Sequence, residues 1–224
     1  PSNLVLSHIR LATQGDTALK NTQPFQRELA GRAHVFAHNG NLENVQDVCR
    51  LESDRFTPVG DTDSEHAFCC LLHQLATLWR TAHGRMPSIE ARLEVVAGFA
   101  ATLRPLGAFN FVYSDGDALF IHSHRRKKDN GEEGSPGLYL LVRSREQKAV
   151  DLSESGIMVA PFAQQMALVA SVPLTDEDWQ PIDEGDVIAL THGLVRAHVK
   201  ARQMGSDLFN KPNAETPRSR AADC

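Results

Sequence analysis

Cysteine is scarce in this chain, four in 224 residues, and long apolar runs are missing altogether. Cys49, the adjacent pair Cys69 and Cys70, and Cys224 have a spacing that fits neither a disulfide framework nor a zinc site, so reduced thiols are expected. No stretch approaches the roughly 20 apolar residues of a membrane-spanning helix, and no charged-then-apolar leader opens the chain. A cytoplasmic location is therefore expected. Basic charge is not in excess: the formal net charge is -5 and the pI about 6.1. Such a chain has no global field to draw it to nucleic acid or to an anionic membrane, and a small-molecule substrate is the better expectation.

What remains is ordinary for a folded protein. Hydrophobic residues make up 42% and charged residues 23%, close to globular averages. A chain of 24.6 kDa is long enough to bury the core of one large domain. The first residue is Pro1 rather than Met, and Asn3 to Ile9 alternates like a half-buried strand, so upstream sequence is expected to have been lost. Ala12 to Leu29 is polar and broken by Gly15 and Pro24, as in a loop crossing the mouth of a site. Ala33 to Ala37 predicts a strand ending in a tight turn at His38-Asn39-Gly40.

Two helices should follow. Thr62 with Glu65 three residues on makes a capping box, and Phe68, Leu71, Leu72, Leu75 and Leu78 form one apolar stripe behind it. A second helix begins near Pro87 and Ser88, buries Ile89, Leu93, Val96, Ala100 and Leu103, and stops before Pro105. Beyond that the pattern is β. A hairpin is predicted from Phe109 to His122 around Ser114-Asp115-Gly116-Asp117, with further strands at 138–142, 166–172, 186–190 and 194–199. His124 to Ser135 reads as a charged surface excursion, and 201–224 as a disordered tail after a domain spanning 1–200. The class is α+β.

Four short segments carry the chemistry: Ser7-His8-Ile9-Arg10-Leu11-Ala12-Thr13, Asn21-Thr22-Gln23-Pro24-Phe25, Ala37-His38-Asn39-Gly40-Asn41-Leu42 and Gly60-Asp61-Thr62-Asp63-Ser64-Glu65. Each alone is weak, since His-Asn-Gly suits any hairpin and a capping box starts many helices. Their order and separation resemble the glutaminase domain of class II glutamine amidotransferases. The stand-alone bacterial type is nearest, with Pro173-Leu174-Thr175 and Trp179 matching its late segment. The resemblance implies a four-layer αββα sandwich of the N-terminal-nucleophile hydrolase type, here incomplete at its N-terminus, and hydrolysis of a γ-glutamyl amide through a cysteine thioester.

On that resemblance Arg10, whose planar fork matches a carboxylate, grips the glutamine α-carboxylate. Thr13, with Gln14, holds the polar end of the substrate, and Asp63 accepts from its α-ammonium. Asn39 and Gly40 supply the oxyanion hole through a side-chain amide and a backbone N–H. His38 is expected to support the turn rather than act as a base. Gln23 departs from the family, where His is frequent, so a protonation role there is lost while support of the loop survives. The nucleophile should be a cysteine at the mature N-terminus. None of the four cysteines sits there, and Ser2 is rejected, so the chain as given is expected to be inactive. No cofactor is implied, and His122 with His124 lacks a third partner for a metal. The partners implied are glutamine or another γ-glutamyl compound and an ammonia-accepting protein. A catalytically inactive γ-glutamyl-binding or regulatory module, or a γ-glutamyl peptide amidohydrolase, are the alternatives.

Overall fold

The first ladder among the described residues starts at Phe25, well after the Asn3 to Ile9 segment that reads as a strand. The computed structural model describes residues 3–9, 16, 18–51, 54–83, 85–128, 131–143, 150–152, 157–159 and 165–201. Within the span expected as loop, β1 (Phe25–Leu29) pairs antiparallel with β2 (Arg32–Gly40). The two-residue connection places Ala30 at φ 54° and Gly31 at φ 76°. Two left-handed residues match the right-handed twist of the flanking strands. Ala-Gly is an unusual sequence for that turn, which is why the hairpin escaped notice.

A short α1 (Val45–Val48) leads to α2 (Asp63–Thr81) and α3 (Ile89–Leu103). Both long helices start as predicted: Thr62 Oγ1 accepts from the Glu65 N–H, and Ser88 Oγ accepts from the Ala91 N–H. After a 3-10 turn through Pro105, β3 (Phe109–Ser114) and β4 (Leu119–His122) form the expected hairpin. With β12 (Val187–Thr191) and β13 (Leu194–Val199) they complete a six-stranded antiparallel sheet in the order β1-β2-β3-β4-β12-β13. The predicted charged excursion holds a small ribbon of β5 (Arg126–Lys127) and β6 (Glu133–Gly134). A second sheet has the order β10 (Met166–Ala170), β7 (Tyr139–Arg143), β11 (Gln180–Pro181), and β8 (Val150–Leu152) pairs with β9 (Ile157–Val159).

The period-2 alternation of the central strands splits the core in two. Phe36, Phe109, Phe111, Phe120 and Ala189 face α2 and α3, meeting Phe68, Leu71, Leu72, Val96 and Phe99. Ile121, Ile188 and Leu190 face the other way, toward Leu138 and Ile182 beside the second sheet. Helices, large sheet and small sheet are thus three successive layers. A second helical layer, expected from the resemblance, is not among the described residues.

Three expectations need correction. Asn3 to Ile9 forms no strand. Its alternation does not bury a face, since Val5 and Ile9 stand 80% and 92% exposed. His38-Asn39-Gly40 is no tight turn, because both Asn39 and Gly40 continue the ladder opposite Asn110 and Phe109. The thiols are not all reduced. Cys49 and Cys70 form a disulfide across 21 residues, with Cα atoms 6.3 Å apart, a distance that suits the bond. Spacing could not show it, because the pairing depends on α1 ending against the second turn of α2. The expected tail, apart from Ala201, lies outside the described residues.

Candidate active site

The end of β2 and the start of α2 meet at one end of the large sheet. Gly40 lies so close to β3 that a Cβ there would stand 1.9 Å from the Ala108 carbonyl oxygen. With φ at 150°, the position demands glycine on both steric and conformational grounds. The same carbonyl accepts from the Asn41 N–H at 3.1 Å, and one residue on, the Leu42 N–H donates to Asp63 Oδ2 at 2.7 Å. That bond joins two of the four motif segments. Asp63 is 7% exposed, and a carboxylate oxygen with one donor keeps a lone pair for another.

Glu65 does more than a capping residue. Its carboxylate accepts from the Val59 N–H at 3.0 Å and the Gly60 N–H at 2.7 Å, and pairs with Arg27 of β1. The reciprocal bond of a capping box is replaced by a hold on the loop before the helix. Asn21, fully buried, accepts from the Asp61 N–H at 2.9 Å, so the second motif segment is anchored to the same loop.

His38 is 2% exposed and both ring nitrogens are engaged, Nδ1 with Ser64 Oγ at 2.9 Å and Nε2 with the Ala108 carbonyl at 3.2 Å. A carbonyl only accepts, so Nε2 carries the hydrogen and Nδ1 accepts from the serine. Burial lowers the pKa of this ring, opposed by the Asp63 charge and helped by nearby His8. A neutral, doubly bonded imidazole is a support rather than a base, as expected.

Of the sequence-predicted site residues, Asn39 and Gly40 are exposed at the strand end, and the bonds of the flanking His38 to Ser64 and Leu42 to Asp63 tie that end to the helix start that carries Asp63. Arg10 and Thr13 lie outside the described residues. Ser64 was missed as a participant, because in Asp-Ser-Glu it reads as one more first-turn residue. His122 and His124 stack with ring centres 6.3 Å apart, and among the described residues no three His, Cys, Asp or Glu side chains are grouped to hold a metal. The Thr175–Trp179 segment is an internal tie: Trp179 Nε1 donates to Thr175 Oγ1 at 3.1 Å, and Glu177 pairs with the buried Arg143.

The family model of the class II glutamine amidotransferases matches residues 1–214. This chain belongs to that family. A predicted glutamine amidotransferase from Pseudomonas aeruginosa PA01, solved by crystallography, superposes with a TM-score of 0.63 at 32% identity, covering 80% of this chain and 66% of that one. The α+β architecture is shared with that solved relative. YafJ of Escherichia coli (strain K12), whose name assigns it provisionally to the glutamine amidotransferases, is 35% identical over 81% of this chain and 67% of its own length. A relative from Haemophilus influenzae is 33% identical, and MJ1515 of Methanocaldococcus jannaschii, an uncharacterised protein, 31%. The chain spans 60% and 51% of those two, so this amidotransferase domain corresponds to between half and two thirds of its curated relatives. No helix among its described residues is long and apolar enough to cross a membrane.

Proposed function

We propose that this domain binds the glutamyl head of glutamine, or of a related γ-glutamyl compound, and stabilises the oxyanion formed when the side-chain amide is attacked. The observation that carries the reading is the Leu42 N–H to Asp63 bond, which holds a buried carboxylate against the backbone just three residues beyond Asn39. Asp63 accepts from the substrate ammonium, Arg10 takes its α-carboxylate and Thr13 its polar end. Asn39 and Gly40 donate to the oxyanion, the term that favours the transition state over the bound substrate.

The reaction is hydrolysis through a cysteine thioester, and the described cysteines do not serve it. Cys49 and Cys70 are bonded to each other, and burial pushes the Cys69 thiol up to about 11. An effective nucleophile needs the thiolate, at an accessible place. On this reading the nucleophile is a cysteine other than these three. Released ammonia passes to a partner protein, or the natural substrate is a γ-glutamyl compound whose hydrolysis is the end in itself. The same inert thiols favour a second reading, a γ-glutamyl-binding or regulatory module without catalysis.

Ammonia release from glutamine by the full-length natural protein separates these readings. We expect turnover, with Asn39→Ala lowering kcat by about 10²–10³ at little change in KM, and Asp63→Asn raising KM. Glutamine binding without turnover selects the module. Neither binding nor turnover overturns both.

A further inference from the structure

The register of the first hairpin pairs Phe25 with Phe36, so continuing it would bring residue 23 opposite His38. The ladder stops because Pro24 has no N–H to contribute. The side chain of Gln23 fills the gap. Its Oε1 accepts from the His38 N–H at 2.6 Å and its Nε2 donates to the His38 carbonyl at 3.1 Å. A carboxamide carries the same donor and acceptor as a peptide group, and here it makes both bonds that a paired strand residue makes. Nε2 also reaches Ser64 Oγ at 3.4 Å, and the single hydroxyl proton of Ser64 goes to the nearer acceptor, His38 Nδ1 at 2.9 Å, rather than to Asp63 Oδ1 at 3.3 Å.

We propose that Gln23 and Ser64 are positioning residues for the oxyanion hole: the Gln23 carboxamide stands in for a missing strand partner, and through Ser64 and the His38 ring it locks the Asn39–Gly40 end of β2 to the start of α2. The chain of donors runs Gln23 Nε2 to Ser64 Oγ, Ser64 to His38 Nδ1, and His38 Nε2 to the Ala108 carbonyl. Ala108 is also the residue against which Gly40 packs. Every link is buried or half-buried, and each fixes the backbone immediately before the two oxyanion donors. The neutral state of His38, favoured by its burial, keeps Nδ1 an acceptor and the chain of donors intact. Any displacement of the strand end would be felt in the transition state more than in substrate binding, because the oxyanion forms only there.

This rests on the oxyanion role given to Asn39 and Gly40, and its test separates the two. In the full-length enzyme, Gln23→Ala and Ser64→Ala should each lower kcat about tenfold while KM stays within about twofold and the fold still melts cooperatively. Amide hydrogen exchange on this chain gives a readout independent of turnover. The His38 N–H should exchange about tenfold faster in Gln23→Ala, and stay protected in Gln23→Glu, which keeps the acceptor but loses the donors. Unchanged exchange at His38 in Gln23→Ala overturns the clamp. Unchanged kcat in both alanine variants, with Asn39→Ala impaired, overturns the positioning role alone. Unchanged kcat in Asn39→Ala removes the oxyanion reading beneath it.

Discussion

The two ends of the large sheet both bury polar groups, and they do so in opposite ways. At the end where β3 turns into β4, Arg92 of α3 donates to Asp115 at 2.6 Å and to Asp117 at 2.8 Å, with Arg92 3% and Asp115 1% exposed. The other oxygen of Asp115 accepts from the Asp117 and Ala118 N–H groups. Every charge there is answered from within. At the far end, His38 is held by neutral partners, Asp63 retains accepting capacity, and Asn39 and Gly40 stand open to solvent. A polar cluster that closes on itself holds a fold, and one that leaves donors and acceptors open at a strand end is available to a ligand.

The largest effect should come from breaking the closed end. Arg92→Ala leaves Asp115 buried without its cation and should cost about 3–5 kcal/mol of stability. Urea unfolding measures it, and glutamine KM in the full-length enzyme should stay where it was if the two ends are as separate as they look. Next is the cross-link between them in chain order. Non-reducing digestion should yield Cys49 and Cys70 peptides joined together, and the Cys49→Ala/Cys70→Ala chain should be less stable by about 3 kcal/mol.

Between pH 7.5 and 5 a smaller effect follows from acid. Burial pushes His122 down to about 3 from an ordinary 6.5. Below pH 6.5 the unfolded chain takes a proton that the folded one refuses, so the stability held by the neutral ring is complete above pH 6.5. It is lost as pH falls toward 3, by about 1.4 kcal/mol per pH unit. Urea midpoints at pH 7.5 and 5 should show the decline, and His122→Asn should flatten it. Smallest is Thr62→Ala, which removes the N-cap of α2 for about 1 kcal/mol. Because α2 carries Asp63, this change should also raise KM, whereas the equivalent Ser88→Ala at α3 should not.

The two long helices, their caps, the Phe109–His122 hairpin and the strands near the C-terminus could all be read from the chain. Each is set by residues within a few positions of one another, where periodicity and capping act. The same locality explains the misses. Ala30-Gly31 closes a hairpin that no common turn signal marks, and Asn39-Gly40, a turn signal by composition, is drawn into a strand by β3 alongside it. Asn3 to Ile9 has the alternation of a strand, yet Val5 and Ile9 stay exposed and no ladder forms along it among the described residues.

The sequence by itself determined the family, the layered α+β class and the identity of Asn39, Gly40 and Asp63 as candidates, because motif order and residue chemistry survive without coordinates. Only the tertiary structure decided that Asp63 reaches the Leu42 backbone, that Cys49 meets Cys70, and that Gln23 stands in for a strand. Those pairings join residues 15 to 21 positions apart, and no local preference can choose them: they are set by which strand ends and helix starts the hydrophobic core brings side by side.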